Sequence, residues 1–169
     1  ALFDARSAVE AHDLHLPGND AARVPVARCA FDEAGVRAPS RLPLDRGTAM
    51  ALRAAESAMR AAGLEAGGCD PDRLGIYWGS GMGGAATFDA TCRAVYADAR
   101  RIRPTTVVTS MPNAPVAELA LRWGARGAAL GHACACASAA VAIGEAMVAI
   151  RAGRIDVALV GGSEALLSD

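Results

Sequence analysis

The chain has 169 residues, 53% of them hydrophobic, and a formal net charge of −1 at pH 7. That supplies apolar material for one domain core and no general attraction to nucleic acid or to an anionic membrane. Arg151 and Arg154 interrupt the longest apolar stretch before it could cross a bilayer, and the opening A-L-F-D-A-R lacks the basic-then-apolar order of a secretory signal, so a soluble cytoplasmic protein is expected.

Residues 10–45 carry Pro17, Gly18, Pro25, Pro39 and Pro43 among scattered charges with no sustained period, which predicts irregular surface structure with one short strand over 24–27. Pro43 and Asp45 mark a helix start. Residues 48–62 then read as an amphipathic helix with Arg53, Glu56 and Arg60 along one side, ended by Gly63. A loop over 67–71 leads into a strand at 74–78.

The turn Gly79-Ser80-Gly81-Met82-Gly83-Gly84 fits G-x-G-x-x-G, follows that strand and precedes a helical stretch at 85–99 containing Asp98. A dinucleotide-binding module using residues 79–84 is therefore one reading. Against it, the acid of such a unit should end the next strand, whereas Asp98 lies in the helical stretch beside Arg100 and Arg101. Glycines also gather wherever backbone must approach a neighbour closely. Residues 105–110 are β-branched and apolar, a connecting loop on their own evidence. A helix follows with Asn113 as N-cap and Pro115 in its first turn, running through Trp123 and ended by Gly124.

Residues 128–147 read A-A-L-G-H-A-C-A-C-A-S-A-A-V-A-I-G-E-A-M. The pattern predicts a buried strand turning sharply into a buried helix, with Cys136 and Ser138 at the junction. The first N–H groups of a helix have no partner within it and favour nearby negative charge, so a cysteine there has its thiolate stabilised and an oxyanion beside it can be held. Cys136 is a candidate nucleophile; on these residues alone, packing as a small hydrophobe is the better-supported account. His132 is too far along an extended strand to serve as its base and reads as a packed or interface residue. His132, Cys134 and Cys136 on alternate positions cannot surround an ion, so no metal is expected. The five cysteines, irregularly spaced and odd in number, read as reduced thiols. All basic side chains are arginine, which excludes lysine chemistry by these residues. A hydrolase reading of Gly161-Gly162-Ser163-Glu164-Ala165 lacks a histidine after Ser163.

The segment Ala135-Cys136-Ala137-Ser138, then Ile143-Gly144, then residues 156–164 as D-V-A-L-V-G-G-S-E, resembles the active-site region of the beta-ketoacyl-[acyl carrier protein] synthases. In that family the nucleophilic cysteine follows an alanine, a small hydroxyl residue lies two positions on, an Ile-Gly pair or similar falls seven and eight positions on, and a strand ending in Gly-Gly closes the unit. Residues 74–84 resemble the family's strand and glycine-rich turn, residues 113–127 its helix and turn before the nucleophile strand, and residues 1–63 its opening more distantly. Cys134 stands where relatives usually carry threonine or another small residue, which assigns it to packing.

The resemblance implies an α/β protein of thiolase-like layered αβαβα fold, of which residues 1–169 supply most of the first half. It implies that a first strand and a C-terminal half holding the family's two catalytic histidines and its lysine lie outside this sequence. It implies decarboxylative Claisen condensation through an acyl-Cys136 thioester, with Met82, Met111 and Ala135 at the substrate pocket and residues 106–111 at a dimer interface. The expected partners are acyl carrier protein, acyl and malonyl thioesters, and an identical or related ketosynthase subunit; nucleic acid, membrane and any cofactor are not expected. Without the second half, slow acylation of Cys136 is the most these residues should do. A coenzyme A-dependent thiolase would share fold and cysteine, and a chain-length-factor-like subunit would typically lack the cysteine.

Overall fold

The computed structural model describes residues 7–14, 22–65 and 67–167. Residues 1–6, part of the opening that resembles the family more distantly, and His15, Pro17 and Gly18 lie outside the described residues. Two compact units, Ala1–Asp32 and Glu33–Asp169, divide the chain.

The first unit is an antiparallel ribbon of β1 (Val9–Leu14) and β2 (Ala22–Ala27), with Val9 opposite Ala27 and Leu14 opposite Ala22. The second strand matches the expectation. The first, V-E-A-H-D-L, replaces the expected irregular structure: apolar and polar residues alternate from Val9 to His12, and Asp13 breaks the pattern. Pro25 is tolerated because a two-stranded ribbon consists only of edges.

The second unit holds α1 (Arg46–Ala61), β3 (Leu74–Gly79), α2 (Ala85–Tyr96), α3 (Thr105–Ser110), α4 (Ala114–Trp123), β4 (Ala129–His132), α5 (Ser138–Arg151) and β5 (Val157–Gly162). Its sheet runs β4-β3-β5, all parallel, with Ile76 beside Ala129 on one side and Leu159 on the other. All six residues of β3 are buried, as a central parallel strand covered on both faces requires. Side chains alternate between two cores. Ile76, Trp78 and Leu159 meet Leu52, Ala55 and Met59 of α1 and Val116 and Leu119 of α4. On the opposite face Tyr77 and Ile155 meet Ala142, Ala146 and Ala149 of α5.

Helix α1 begins where Asp45 caps it. That carboxylate, 1% exposed, accepts from Gly47 N–H at 2.8 Å and reaches Thr87 N–H at 2.9 Å and Thr87 Oγ1–H at 2.8 Å, so one residue joins the starts of α1 and α2. Asn113 occupies the N-cap position of α4, but its side chain makes no capping bond; Pro115 in the first turn and left-handed Gly124 after the end delimit the helix instead. Residues 105–110, expected as loop, form α3, where Thr109 Oγ1 donates back to the carbonyls of Thr105 and Thr106 at 3.1 Å each. Such back-bonding lets a threonine satisfy its hydroxyl inside a helix, against its β-branched preference. Helix α2 ends at Tyr96, short of the expected 99.

The expectation that β4 and α5 are both buried needs correction. Strand β4 is the sheet edge and largely exposed. In α5 the small residues Ala142, Ala146 and Ala149 face the sheet, while Ile143, Met147, Val148 and Ile150 are 43–57% exposed among the described residues. Small side chains allow α5 to lie close to the sheet, a condition the site depends on.

Arg73 at the foot of β3 holds Asp156 at the foot of β5 by two bonds, 2.6 and 3.0 Å, and donates to the Arg154 carbonyl at 3.1 Å. The hydrogen bond from Arg73 is the main reason the Asp156 carboxyl is held below its ordinary range. A carboxyl whose folded pKa is depressed stabilises the fold above its unfolded pKa, and that contribution is lost as pH falls through the folded value. Urea titrations of wild type and Asp156→Asn should therefore differ slightly near neutral pH, with wild type the more stable, and converge as the solution is made strongly acidic.

Candidate active site

The carboxyl ends of all three parallel strands converge on one cavity of about 440 Å³. Its walls are residues 79–82 after β3, residues 135, 136, 138 and 139 at the start of α5, and residues 162–164 with Leu166 after β5. Open parallel sheets bind ligands in this position, because the loops leaving the strand ends are free to vary while the sheet fixes their roots.

Cys136 sits at the elbow between β4 and α5. The turn is closed by Ala137 N–H to the Cys134 carbonyl at 3.0 Å and Ser138 N–H to the Ala135 carbonyl at 3.1 Å. Ala135 is forced to φ +49, a left-handed conformation that costs a residue bearing a β-carbon and is found where surrounding structure enforces it. Ser138 supplies that enforcement. Its hydroxyl, 4% exposed, accepts from Cys134 N–H at 2.8 Å and donates to the Ala135 carbonyl at 2.7 Å. Helix α5 has no side-chain cap and no acid in its first turn, so its positive end is left for a group in the cavity.

The elbow reaches the cavity because the neighbouring strand ends lack side chains. A β-carbon on Gly79 would lie 2.3 Å from the Ser138 carbonyl carbon and 2.5 Å from Ala139 N, and one on Gly162 would lie 2.8 Å from Ala139 Cβ. Gly161 lies under the Trp78 ring, whose Nε1–H donates to Ser163 Oγ at 3.0 Å.

The structure brings Cys136, Ala135 and Met82 together around this cavity. Met111 is not among the lining residues; it follows α3 and is 43% exposed. Cys134, assigned to packing, is exposed. His132 is packed as expected: its ring stacks on Tyr77 at 6.2 Å between centroids and 9° between planes, and its carbonyl accepts from Ser80 N–H at 3.0 Å. Ser138, Ser80 and Glu164 were not among the predicted site residues. A serine two positions beyond the cysteine, and an acid directly after Gly-Gly-Ser, are the signals that mark them.

Glu164 also decides the glycine-rich turn. Its Oε2 accepts from Gly81 N–H at 2.6 Å and Met82 N–H at 3.1 Å, while Ser80 Oγ accepts from Gly83 N–H at 2.9 Å. The amides that a pyrophosphate would need are taken by this chain's own oxygens. Gly83 and Gly84 instead let backbone pass backbone, since β-carbons there would stand 2.6–2.8 Å from Ser110 and Pro112. The dinucleotide reading has no cradle left. Nor does any group of three or more His, Cys, Asp or Glu side chains among the described residues suit a metal ion.

Residues 5–169 match the family described as Beta-ketoacyl synthase, N-terminal domain. The chain belongs to the beta-ketoacyl synthase family. It is 40% identical over 123 residues to Nodulation protein E of Rhizobium sp. (strain N33), covering 72% of the chain and 31% of that protein. It is 32% identical over 123 residues to 3-oxoacyl-[acyl-carrier-protein] synthase 2 of Staphylococcus aureus (strain N315), covering 72% and 30%. It thus spans about a third of the length of the curated relatives it matches. Among solved structures, a ketosynthase bound to a hexaketide and in complex with its type II polyketide acyl-carrier protein superposes with a TM-score of 0.75 at 28% identity, over 83% of this chain and 41% of that one. A ketosynthase in complex with its chain length factor from Xenorhabdus doucetiae shares the fold at a TM-score of 0.73 and 19% identity, over 94% and 40%. The chain therefore has the thiolase-like fold and matches the family's N-terminal domain.

Glu164→Ala should release the turn over residues 80–82. Losing two charged hydrogen bonds in a partly exposed setting costs about 1–3 kcal/mol, and hydrogen exchange read by mass spectrometry should show faster exchange at Gly81 and Met82 with little change at the foot of β3.

Proposed function

We propose that the whole protein is a beta-ketoacyl-acyl carrier protein synthase acting in fatty acid or polyketide biosynthesis. The observation that carries this reading is Cys136 at a pinned elbow, opening beside the start of α5 into a cavity walled mainly by Gly79, Gly81, Met82, Ala139 and Leu166.

Cys136 Sγ attacks the carbonyl carbon of an acyl thioester, the carrier thiol leaves, and the acyl group rests on Cys136. The N–H of Cys136 holds part of the oxyanion, and the uncapped start of α5 adds favourable potential there. The acyl chain extends past Met82, whose thioether adapts to its shape and is 65% exposed in this segment. Malonyl-carrier protein then loses carbon dioxide, and its carbanion attacks the acyl thioester carbonyl, expelling Cys136 as thiolate. Among the described residues no histidine lines the cavity, so groups from the remainder of the protein serve this second step.

The partners in this reading are acyl carrier protein and an identical or related ketosynthase subunit. The solved ketosynthase in complex with its acyl-carrier protein supports the carrier-protein partner. Residues 106–111, with Val107, Val108 and Met111 exposed, meet the second subunit and place Met111 toward its pocket. The exposed stripe of Ile143, Met147 and Val148 on α5 is covered by the second half of the fold. No described helix is long and apolar enough to cross a membrane.

Intact-mass analysis and peptide mapping after incubating the whole protein with an acyl-carrier thioester test the first step. A single acyl adduct is expected on Cys136, absent from Cys136→Ala while that variant keeps its fold by circular dichroism. Acylation of Cys92 or Cys134 instead, or equal acylation of Cys136→Ala, would remove the reading.

A further inference from the structure

Acyl transfer uses Cys136 and leaves its neighbour Cys134 without a task. Both thiols are free and exposed. They lie two residues apart across left-handed Ala135, in a turn that Ala137 N–H closes onto the Cys134 carbonyl. Ser138 Oγ anchors Cys134 N–H at 2.8 Å, so Cys134 is held beside the nucleophile by the same serine that pins the elbow. Two residues of fully extended chain reach only about 7 Å between Cα atoms, and a closed turn is shorter. Disulfides bridge Cα atoms roughly 4.4–6.8 Å apart, a span two residues can reach, and both cysteines lie in the turn outside the named helices and strands. Cys134 does not line the cavity, so a role in holding the acyl chain does not explain it.

We propose that Cys134 is the resolving thiol of a reversible redox pair with Cys136, converting the oxidised nucleophile into a Cys134–Cys136 disulfide. Cys136 thiolate attacks one oxygen of hydrogen peroxide; the O–O bond breaks, hydroxide leaves and takes a proton to become water, and Cys136 becomes a sulfenic acid. Cys134 sulfur then attacks Cys136 Sγ. The S–S bond forms, the S–O bond breaks, and the departing hydroxide takes the Cys134 proton to leave as a second water. Two thiols and one peroxide give one disulfide and two waters.

A disulfide closed over so short a loop, and exposed, is readily reduced by a dithiol, which returns both thiols. Without Cys134 the sulfenic acid is open to further peroxide and passes to the sulfinic state, which thiols do not reverse. The regulatory consequence, loss of acylation in the oxidised protein, rests on Cys136 being the acyl acceptor.

The test uses the whole protein, hydrogen peroxide, blocking of remaining thiols with iodoacetamide, and trypsin. Residues 127–151 contain no arginine or lysine before Arg151, so both cysteines fall on one tryptic peptide. In wild type that peptide should be unalkylated and lighter by two hydrogens, acylation from an acyl thioester should be lost, and dithiothreitol should restore both. In Cys134→Ser, and in Cys134→Ala as a second variant, the same treatment should leave Cys136 carrying two or three oxygens, with acylation lost and not restored. A wild-type peptide alkylated at Cys134, with Cys136 oxidised as fast as in the variants, would overturn the pair. Acylation of the untreated proteins separates the two ideas: a disulfide in a protein that never acylates Cys136 would support the pair and sink the acyl-acceptor reading.

Discussion

Helix α5 starts so close to the ends of β3 and β5 that one added β-carbon at Gly79 would fall 2.3 Å from the Ser138 carbonyl carbon. Real β-carbons do not approach other atoms this closely, so any side chain at position 79 must push helix and strand apart. The closeness has a purpose. It brings the positive end of α5 to the mouth of the cavity and leaves Cys136, one residue before the N-cap, no place except at that mouth. The same constraint extends down the helix, where Ala142, Ala146 and Ala149 keep the gap to the sheet narrow and the larger Ile143, Met147 and Val148 turn away.

The polar groups at the site act on the loops around this contact. Ser138 satisfies Cys134 N–H and the Ala135 carbonyl with one hydroxyl, which offsets the cost of holding Ala135 left-handed. Glu164 spends its carboxylate on Gly81 and Met82 amides, and Trp78 fixes Ser163 from the other face of the sheet. Each loop leaving a strand end is therefore tied to another, and the cavity keeps its shape through bonds between segments far apart in sequence.

Much of this was legible from residue order. Asp45 before an amphipathic run, Gly124 after one, and a strand-turn-helix pattern around Cys136 follow local rules, and each falls where expected. The kinship with the beta-ketoacyl synthases is also legible, through the resemblance of the Ala135-to-Gly144 motif to that family's active-site region. What escaped depends on contacts distant along the chain. Glu164 reaches the glycine-rich turn across more than eighty residues, so the turn alone resembled a phosphate cradle. Helix α3 escaped because Thr109 finds acceptors one turn back, which propensity does not anticipate. Strand β1 is hard to read because its alternation lasts only from Val9 to His12 and stops at Asp13. Burial of α5 was overestimated because periodicity shows which residues are apolar and not which face meets the sheet.

In the proposed function, the side-chain-free approach at the strand ends positions Cys136 to take the acyl group. The most direct measurement is the rate of Cys136 acylation by an acyl thioester in Gly79→Ala of the whole protein, with iodoacetamide labelling of Cys92 as an internal control for an intact fold. A displacement near 1 Å at a reacting group costs on the order of 100-fold in rate. A loss of that order is expected at Cys136, with Cys92 labelling unchanged. Acylation of Cys136 at the wild-type rate in a folded Gly79→Ala protein would contradict it.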